Sequence, residues 1–179
     1  MPQPLWREDR SVEMQAQEYY AARLKQTNFP LRLYGLVDAL LHDEVLPTHP
    51  LSRSSSCIAL FDGTPDEALA HAGPWLLDCS APGNPHITAL QRLADSEPGC
   101  IWVVSSYAMD DLAEALRARL TVRMPSGATA LLRYYDARLA DDIAALLTPE
   151  QRAAFFAPVQ DWLAQRNGEL IRIHPTHGA

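Results

Sequence analysis

Residues 121–135 read TVRMPSGATALLRYY and contain the clearest turn in the chain. Two apolar segments, 121–124 and 129–135, flank a Pro-Ser-Gly turn at 125–127, and this spacing predicts an antiparallel hairpin. Elsewhere short apolar runs alternate with helical patterns, which alone would favour a parallel sheet. Because the hairpin is present, we predict a mixed α/β fold of the α+β kind: a mixed sheet with one antiparallel hairpin, flanked by helices.

Four other apolar runs and several helical patterns complete the predicted order of elements. Buried strands are predicted at 31–37, 57–61, 75–78 and 101–104, each bounded by turn-forming residues. Helices are predicted at 11–25, 64–72, 86–94, 110–120 and 137–147, with a short helical stretch after the first strand. The pattern Thr148-Pro149-Glu150-Gln151 predicts a helix cap, which opens a last helix or helix pair running through Trp162.

The composition predicts a single acidic domain. Of 179 residues, 47% are hydrophobic and 21% are charged, close to the averages of soluble proteins. Lys and Arg total 15 against 22 Asp and Glu, and the net charge of -7 argues against nucleic acid as a partner. The polar N-terminus and the lack of a long apolar run predict a cytoplasmic protein that does not span a membrane. Three widely spaced cysteines predict neither disulfides nor a Cys-x-x-Cys site, and suit a reducing compartment.

Motifs for cofactors and metals are missing from the sequence. There is no Gly-x-Ser-x-Gly elbow, no Gly-x-Gly-x-x-Gly or P-loop pattern, and no His-Glu-x-x-His pair. His174 and His177 come nearest to a pair of metal ligands, but they lie at the C-terminal end, where we expect a solvated tail. We therefore expect no cofactor and no metal.

Three pairs of residues are candidates for acid–base chemistry. Asp38 and His42 are four residues apart and would share one helical face as a carboxylate and an imidazole, although a local helix contact is the commoner explanation. The adjacent acids at 110–111 and 141–142 resemble the paired carboxylates of hydrolases. Neighbours on a helix point about 100° apart, and helix-dipole complementarity already explains acids in a first turn.

The densest polar and aromatic cluster is RYYDAR at 133–138. Strand alternation would send Arg133 and Tyr135 to one face of the sheet and Tyr134 to the other. Asp136 stands where the N-cap of the following helix belongs, with Arg138 close behind it. An Arg–Asp pair here would fix the corner by charge-assisted hydrogen bonds, while Arg and Tyr are also common in binding hot spots.

A series of short segments resembles one bacterial family in order and in spacing. The segments are 33–38, 60–65, 73–76, 122–127, 133–136, 147–151 and 155–159, and the resemblance covers about 31–163. The chain is similar to the type VI secretion effector chaperones, or adaptors, which are typically encoded between a VgrG spike gene and an effector gene and were long catalogued as a domain of unknown function.

This resemblance implies a protein that is not an enzyme. It implies that the chain binds a cognate toxic effector in the cytoplasm, keeps it soluble and loads it onto the VgrG spike. The recognition would be between proteins, through an apolar patch with polar anchors. Our candidate contact residues are Arg133, Tyr135, Asp136, Arg138, Phe155, Phe156 and Trp162. At helical spacing, the aromatic ones are better explained as core residues than as contact residues.

Two other functions and a division of the chain complete the predictions. The first alternative is a small hydrolase that uses Asp38 and His42 or one of the acid pairs. The second is an immunity protein, which would block a toxin rather than deliver it. We divide the chain into an N-terminal helical extension (1–30), an effector-chaperone domain (31–164) and a C-terminal tail (165–179).

Overall fold

Residues 15–175 are described by a computed structural model, and most of their strands join one sheet. Its strands are β1 (Arg32–Asp38), β2 (Cys57–Ala59), β3 (Pro74–Asp78), β4 (Cys100–Ser105), β7 (Asp161–Arg166) and β8 (Glu169–His174). They lie in the order β2-β3-β1-β4-β7-β8. A separate hairpin is formed by β5 (Thr121–Arg123) and β6 (Thr129–Leu131).

Between residues 15 and 175, six α-helices and one 3₁₀ helix accompany these strands. They are α1 (Ala16–Gln26), α2 (Ala39–Val45), the 3₁₀ helix Glu67–Ala72, α3 (Pro85–Ser96), α4 (Met109–Arg117), α5 (Ala140–Leu146) and α6 (Pro149–Phe156). The predicted cap of α6 is confirmed: Thr148 and Gln151 each accept a hydrogen bond from the other's backbone N–H. Within the described range, no helix has the length and apolar character needed to cross a membrane.

The core lies on both faces of the two central strands. Every residue of β4 is buried, and so is every residue of β1 except Arg32. Their register pairs Gly35 with Trp102 and therefore places these two residues on the same face of the sheet. Leu90 of α3 packs against that face, beside the thiols of Cys79 and Cys100. Burial on both faces explains why these strands read as continuous apolar runs rather than alternating ones.

The predicted fold class and the hairpin are confirmed, and one detail of the sheet differs. All strand pairs in the described chain are antiparallel, so the sheet is not the parallel–antiparallel mixture that we expected. The alternation of strands and helices was misleading because α2 and α3 connect strands that run in the same direction but are not neighbours. β3 lies between β1 and β2, and β1 lies between β3 and β4, so every hydrogen-bonded pair among these four strands is antiparallel.

The C-terminal third of the chain contains the largest correction. Trp162, which we expected at the end of a helix pair, lies in β7, because α6 already ends at Phe156. Residues 169–174, which we expected in a tail, form β8 and pair with β7. The turn between them is Asn167-Gly168, and both residues have positive φ, as a two-residue hairpin requires.

Three further predicted elements differ from the structure in their bounds or lie partly outside the described residues. The N-terminal helix predicted at 11–25 is confirmed from Ala16 onward, and its first residues lie outside the described range, as does His177. The strand predicted at 129–135 ends at Leu131, so strand alternation does not apply to 133–135. The helix predicted from residue 137 begins at Ala140, and its N-cap is Leu139 rather than Asp136.

Candidate partner-binding site

Two buried carboxylates lie beneath the turn that follows β6. Asp38 is the last residue of β1 and caps α2, because its Oδ1 accepts a hydrogen bond from the backbone N–H of Leu40 at 3.0 Å. Asp136 lies in the turn at 133–138, and its side chain is almost fully buried. A buried carboxylate is stable only where charged or polar partners replace its lost water, and two arginines supply them here.

Arg138 binds Asp136 with both branches of its guanidinium. Its Nε donates to Oδ1 at 2.9 Å and its Nη2 donates to Oδ2 at 2.7 Å. The backbone N–H of Arg138 also donates to Oδ1, at 3.0 Å. These hydrogen bonds lower the pKa of Asp136, although burial acts in the opposite direction, and they raise the pKa of Arg138.

Arg133 connects the two carboxylates. Its Nη2 lies 3.4 Å from Oδ2 of Asp38 and 3.4 Å from Oδ2 of Asp136. The guanidinium carbon also lies 5.9 Å from the ring centre of Tyr135, within the range of a cation–π contact. The arrangement joins the end of β1 to a turn almost a hundred residues later in the chain.

The opposite sides of these arginines face solvent. The side chain of Arg133 is 44% exposed and that of Arg138 is 57% exposed. Two exposed leucines are close to this cluster in the sequence: Leu40, at 57%, follows Asp38 by two residues, and Leu139, at 37%, follows Arg138. We call Leu40, Arg133, Arg138 and Leu139 the corner patch. It combines exposed apolar side chains with two oriented guanidinium groups, and arginine is among the residues enriched in binding hot spots.

The predicted aromatic contacts belong to the core instead. Tyr135, Phe156 and Trp162 are buried, as is Asp136, and Phe155 is only partly exposed. The rings of Phe155 and Phe156 pack edge to face at 4.9 Å. The hypothesis that these rings touch a partner directly is therefore not supported by their positions.

Tyr134 lies at the centre of this aromatic cluster. Its ring contacts Tyr135, Phe155 and Trp162 at centroid distances of 6.1, 5.7 and 6.0 Å. Its hydroxyl donates to the carbonyl of Leu116 at 2.7 Å, and burial raises its pKa. The cluster holds the 133–138 turn from below, so it supports the corner patch without being part of it.

Asp38 and His42 do not form an acid–base pair. Both are buried, but no hydrogen bond joins them in the described chain, and the carboxylate of Asp38 is engaged by Leu40 and Arg133. The nearest partner of His42 is Asp43, with Nδ1 and Oδ1 3.4 Å apart. Burial lowers the pKa of His42, against a smaller opposing effect of Asp43, and so favours the neutral ring.

The remaining candidates for acid–base or metal chemistry make contacts that explain them structurally. Asp110 and Asp111 lie in the first turn of α4, as the dipole argument predicts. Asp141 pairs with Arg166 at 3.1 Å. His174 stacks on Phe156 with ring centres 4.2 Å apart. In the part of the chain that the structure describes, no group of three or more His, Cys, Asp or Glu is placed to hold a metal ion.

Leu40 and Leu139 are the patch residues that the sequence analysis missed. The sequence indicates their exposure only through the burial of the residues around them. Ala39 and His42 face the core from α2, and helical spacing turns Leu40 away from it. Leu139 follows a charged residue at a helix start, where a leucine has no amphipathic pattern to mark its direction.

Comparison with known proteins gives one match. A family model described as domain of unknown function (DUF4123) matches residues 33–154, which is more than half of the chain. This range contains α2, the hairpin and the whole corner patch. No curated protein and no solved structure matches the chain.

Proposed function

The chain belongs to the family of domain of unknown function DUF4123, and on this premise we propose that it is a non-catalytic adaptor of type VI secretion. In this proposal it binds a cognate effector protein in the cytoplasm, stabilises it and loads it onto the VgrG spike. Membership in the family supports the secretion context, because the family is known for adaptors associated with type VI secretion. The surface that would do the binding comes from the structure.

The observation that carries the proposal is the corner patch. Flexible arginines lose side-chain entropy when a partner immobilises them, and this loss reduces affinity. Arg138 is already held on Asp136 by two side-chain hydrogen bonds, and Arg133 lies over Tyr135 beside both carboxylates. Part of the ordering cost is therefore met during folding, and the outward N–H groups remain available to a partner.

The partner chemistry follows from what the patch presents. Guanidinium groups donate hydrogen bonds and carry positive charge, so they favour carboxylates and backbone carbonyls of the effector. Leu40 and Leu139 add apolar area next to these groups. A patch of this kind fits a protein segment that offers acceptor oxygens beside an apolar side chain, rather than a small polar substrate.

A capture experiment tests the proposal. The tagged protein is expressed in its native bacterium while the secretion genes are active, and co-purified proteins are identified by mass spectrometry. We expect recovery of a toxin-like effector, with or without VgrG. Arg133→Ala/Arg138→Ala should reduce effector recovery by about tenfold or more, since each arginine has the character of a hot spot.

A matched control and a milder variant separate binding from folding. Arg53 is also an exposed arginine that binds a carboxylate, Asp62, with two hydrogen bonds and lies over an aromatic ring, 5.4 Å from the centre of Trp75. Arg53→Ala should leave recovery unchanged. Arg133→Lys/Arg138→Lys keeps both positive charges but removes the planar fork, so it should stay folded and still lose effector. Undiminished recovery with both double variants would exclude the corner patch as the binding surface.

Co-expression with the captured effector separates an adaptor from the alternatives. An adaptor raises the soluble level of the effector and its delivery while the toxin stays active. Inhibition of the toxin would instead identify an immunity protein. Turnover of any compound by the purified protein, lost in Asp38→Asn, would favour the hydrolase.

A further inference from the structure

The β5–β6 hairpin stands apart from the main sheet and from the core. It forms a two-stranded sheet of its own, and no third strand comes from the described chain. None of its strand residues is buried: Val122 and Ala130 are half-buried, and the others are exposed. A hairpin of two strands is only marginally stable in water, and a third strand or a covering element normally completes it.

The register of the hairpin decides which of its backbone groups point outward. The paired residues are Thr121 with Leu131, Val122 with Ala130 and Arg123 with Thr129. Beyond the two ends of these pairs, the backbone N–H of Leu132 donates to the carbonyl of Leu120 at 2.7 Å, and that of Met124 donates to the carbonyl of Ala128 at 2.8 Å. In an antiparallel ladder, hydrogen-bonded pairs alternate with pairs that are not bonded, so the central pair is the bonded one. The N–H and C=O groups of the two outer pairs therefore point away from the hairpin.

On β6 the outward residues are Thr129 and Leu131. Both are exposed, and their backbone N–H and C=O groups form no hydrogen bond with any described residue. Proteins usually protect such an edge with a charged residue or a proline, and β5 carries Arg123 among its outward residues. β6 has the sequence Thr-Ala-Leu and carries neither. We call the outward backbone groups of Thr129 and Leu131 the open edge.

From these observations we infer that the open edge accepts an extended segment of the effector as a third strand of the hairpin. A row of free N–H and C=O groups pairs best with another extended backbone, and strand addition of this kind is a common mode of peptide recognition. The side chain of Leu131, which is 42% exposed, adds apolar contact area on one face of the new strand. The inference rests on the proposed function, because the segment belongs to the effector.

The open edge leads directly to the corner patch. β6 ends at Leu131, and Arg133 follows two residues later, with its Nη2 3.4 Å from a carboxylate oxygen of both Asp38 and Asp136. An extended segment advances about 3.3 Å per residue, so a strand that continues past Leu131 reaches the region of Arg133 within a few residues. The side chain of Arg133 is 44% exposed and favours a carboxylate. The expected partner is therefore an extended segment with an acidic side chain near one end.

Amide hydrogen exchange in the free full-length chain tests whether the edge is open. Exchange is followed by NMR on the ¹⁵N-labelled protein. We expect the amides of Thr129 and Leu131 to exchange faster than those of Ala130 and Leu132, which donate inside the hairpin. Exchange at Thr129 and Leu131 as slow as at their two neighbours would overturn the inference. If that protection fades on dilution, the occupant is a second copy of this chain.

The same measurement on the complex tests the occupant. The complex is the one that the tagged wild-type protein captures from its native bacterium, and its exchange is followed by mass spectrometry. We expect peptides that cover 128–132 to exchange more slowly in the complex than in the free chain, because the added strand accepts from the open edge. Unchanged exchange in these peptides would overturn the inference without the use of any variant.

Proline variants make the test specific to one edge. Thr129→Pro removes an outward N–H and places a ring in the path of an added strand, while the hydrogen bonds inside the hairpin remain. We expect it to reduce effector recovery by about fivefold or more, the equivalent of one lost backbone hydrogen bond. Thr121→Pro makes the same change on the outer edge of β5, and Thr129→Ala removes only the side chain. Both should leave recovery unchanged, and equal losses in the two proline variants would contradict binding at β6.

The two proposals fail in different ways. If the wild-type protein captures an effector, Thr129→Pro captures it equally well and exchange at 128–132 is unchanged in the complex, only this inference is wrong. If the wild-type protein captures no effector, the proposed function fails and the assignment of the open edge to an effector fails with it.

Discussion

Replacing Asp136 by Asn tests whether the buried carboxylate holds the 133–138 turn in place. The substitution keeps the size of the side chain and leaves Oδ1 able to accept from the backbone N–H and Nε of Arg138. It replaces Oδ2 by an NH₂ group, which would then face the Nη2 donor of Arg138 at the present distance of 2.7 Å. The nearby guanidinium of Arg133 loses the same oxygen.

The expected loss of unfolding free energy in Asp136→Asn comes from one lost charge-assisted hydrogen bond and from one buried donor left without an acceptor. A hydrogen bond to a charged group contributes roughly 1.5–3 kcal/mol, and an unsatisfied buried polar group costs about 1–3 kcal/mol. Arg138 is more than half exposed, so it turns toward water in the variant and recovers part of this loss. We therefore expect Asp136→Asn to lower the free energy of unfolding by about 2 kcal/mol.

The assay is equilibrium unfolding in urea at neutral pH, followed by tryptophan fluorescence. Asp62→Asn is the control, because Asp62 binds Arg53 with the same two-branched geometry but is partly exposed, and its loss should matter far less. A change below about 0.5 kcal/mol for Asp136→Asn, no larger than that of an ordinary surface substitution, would refute the structural role of the carboxylate.

The pH dependence gives the same test a second readout. The pKa of Asp136 is lowered in the folded protein, so its ionised form stabilises the fold at every pH above the ordinary aspartate range. As the pH falls through that range toward the folded pKa, the unfolded chain binds the proton first and this stabilisation is lost. The stability difference between wild type and Asp136→Asn should therefore be constant near neutral pH and shrink in acid.

Three further predictions concern the core and the turns. Gly35→Ala places a Cβ 2.4 Å from Cδ1 of Leu90 and should lower the stability measured by thermal unfolding by about 1–3 kcal/mol. Adding Leu90→Val should recover part of the lost stability, and no recovery would contradict the assigned contact. All three cysteines are buried and burial raises the pKa of Cys79 to about 12, so none should react with Ellman's reagent before unfolding and all three should react afterwards. Asn167 has a φ of 51°, so Asn167→Ala should destabilise the chain by roughly 1 kcal/mol in urea unfolding while Asn167→Gly should not; equal effects would argue against the left-handed turn.

The sequence was most informative where local rules act alone. The β5–β6 hairpin, the strand at 101–104 and the cap at Thr148 depend on turn chemistry, continuous apolarity and side-chain capping, and all three are confirmed. The Asn167-Gly168 dipeptide carried an equally strong hairpin signal, which we overlooked because the preceding helix was extended through Trp162. Because of this error, we predicted a helix where β7 begins and a tail where β8 lies.

The candidate site was harder to predict because sequence spacing does not reveal burial. Phe155, Phe156 and Trp162 are apolar at close spacing, a pattern that favours a core cluster but also occurs at interfaces. Arg133 and Arg138 were named as candidates, but Asp38, the long-range partner of Arg133, was assigned to a different role with His42. Pairing between residues almost a hundred positions apart is decided by the packing of β1 under the 133–138 turn.

Two buried carboxylates explain why one turn carries both exposed arginines and the edge of a cavity. A surface loop fixed only by its backbone would allow its arginines many orientations, whereas Asp38 and Asp136 hold one side of each guanidinium inside the fold. The opposite side of each guanidinium is exposed, and that of Arg138 borders a cavity at the end of α3. The buried carboxylates thus determine which polar groups the surface of the turn presents to solvent.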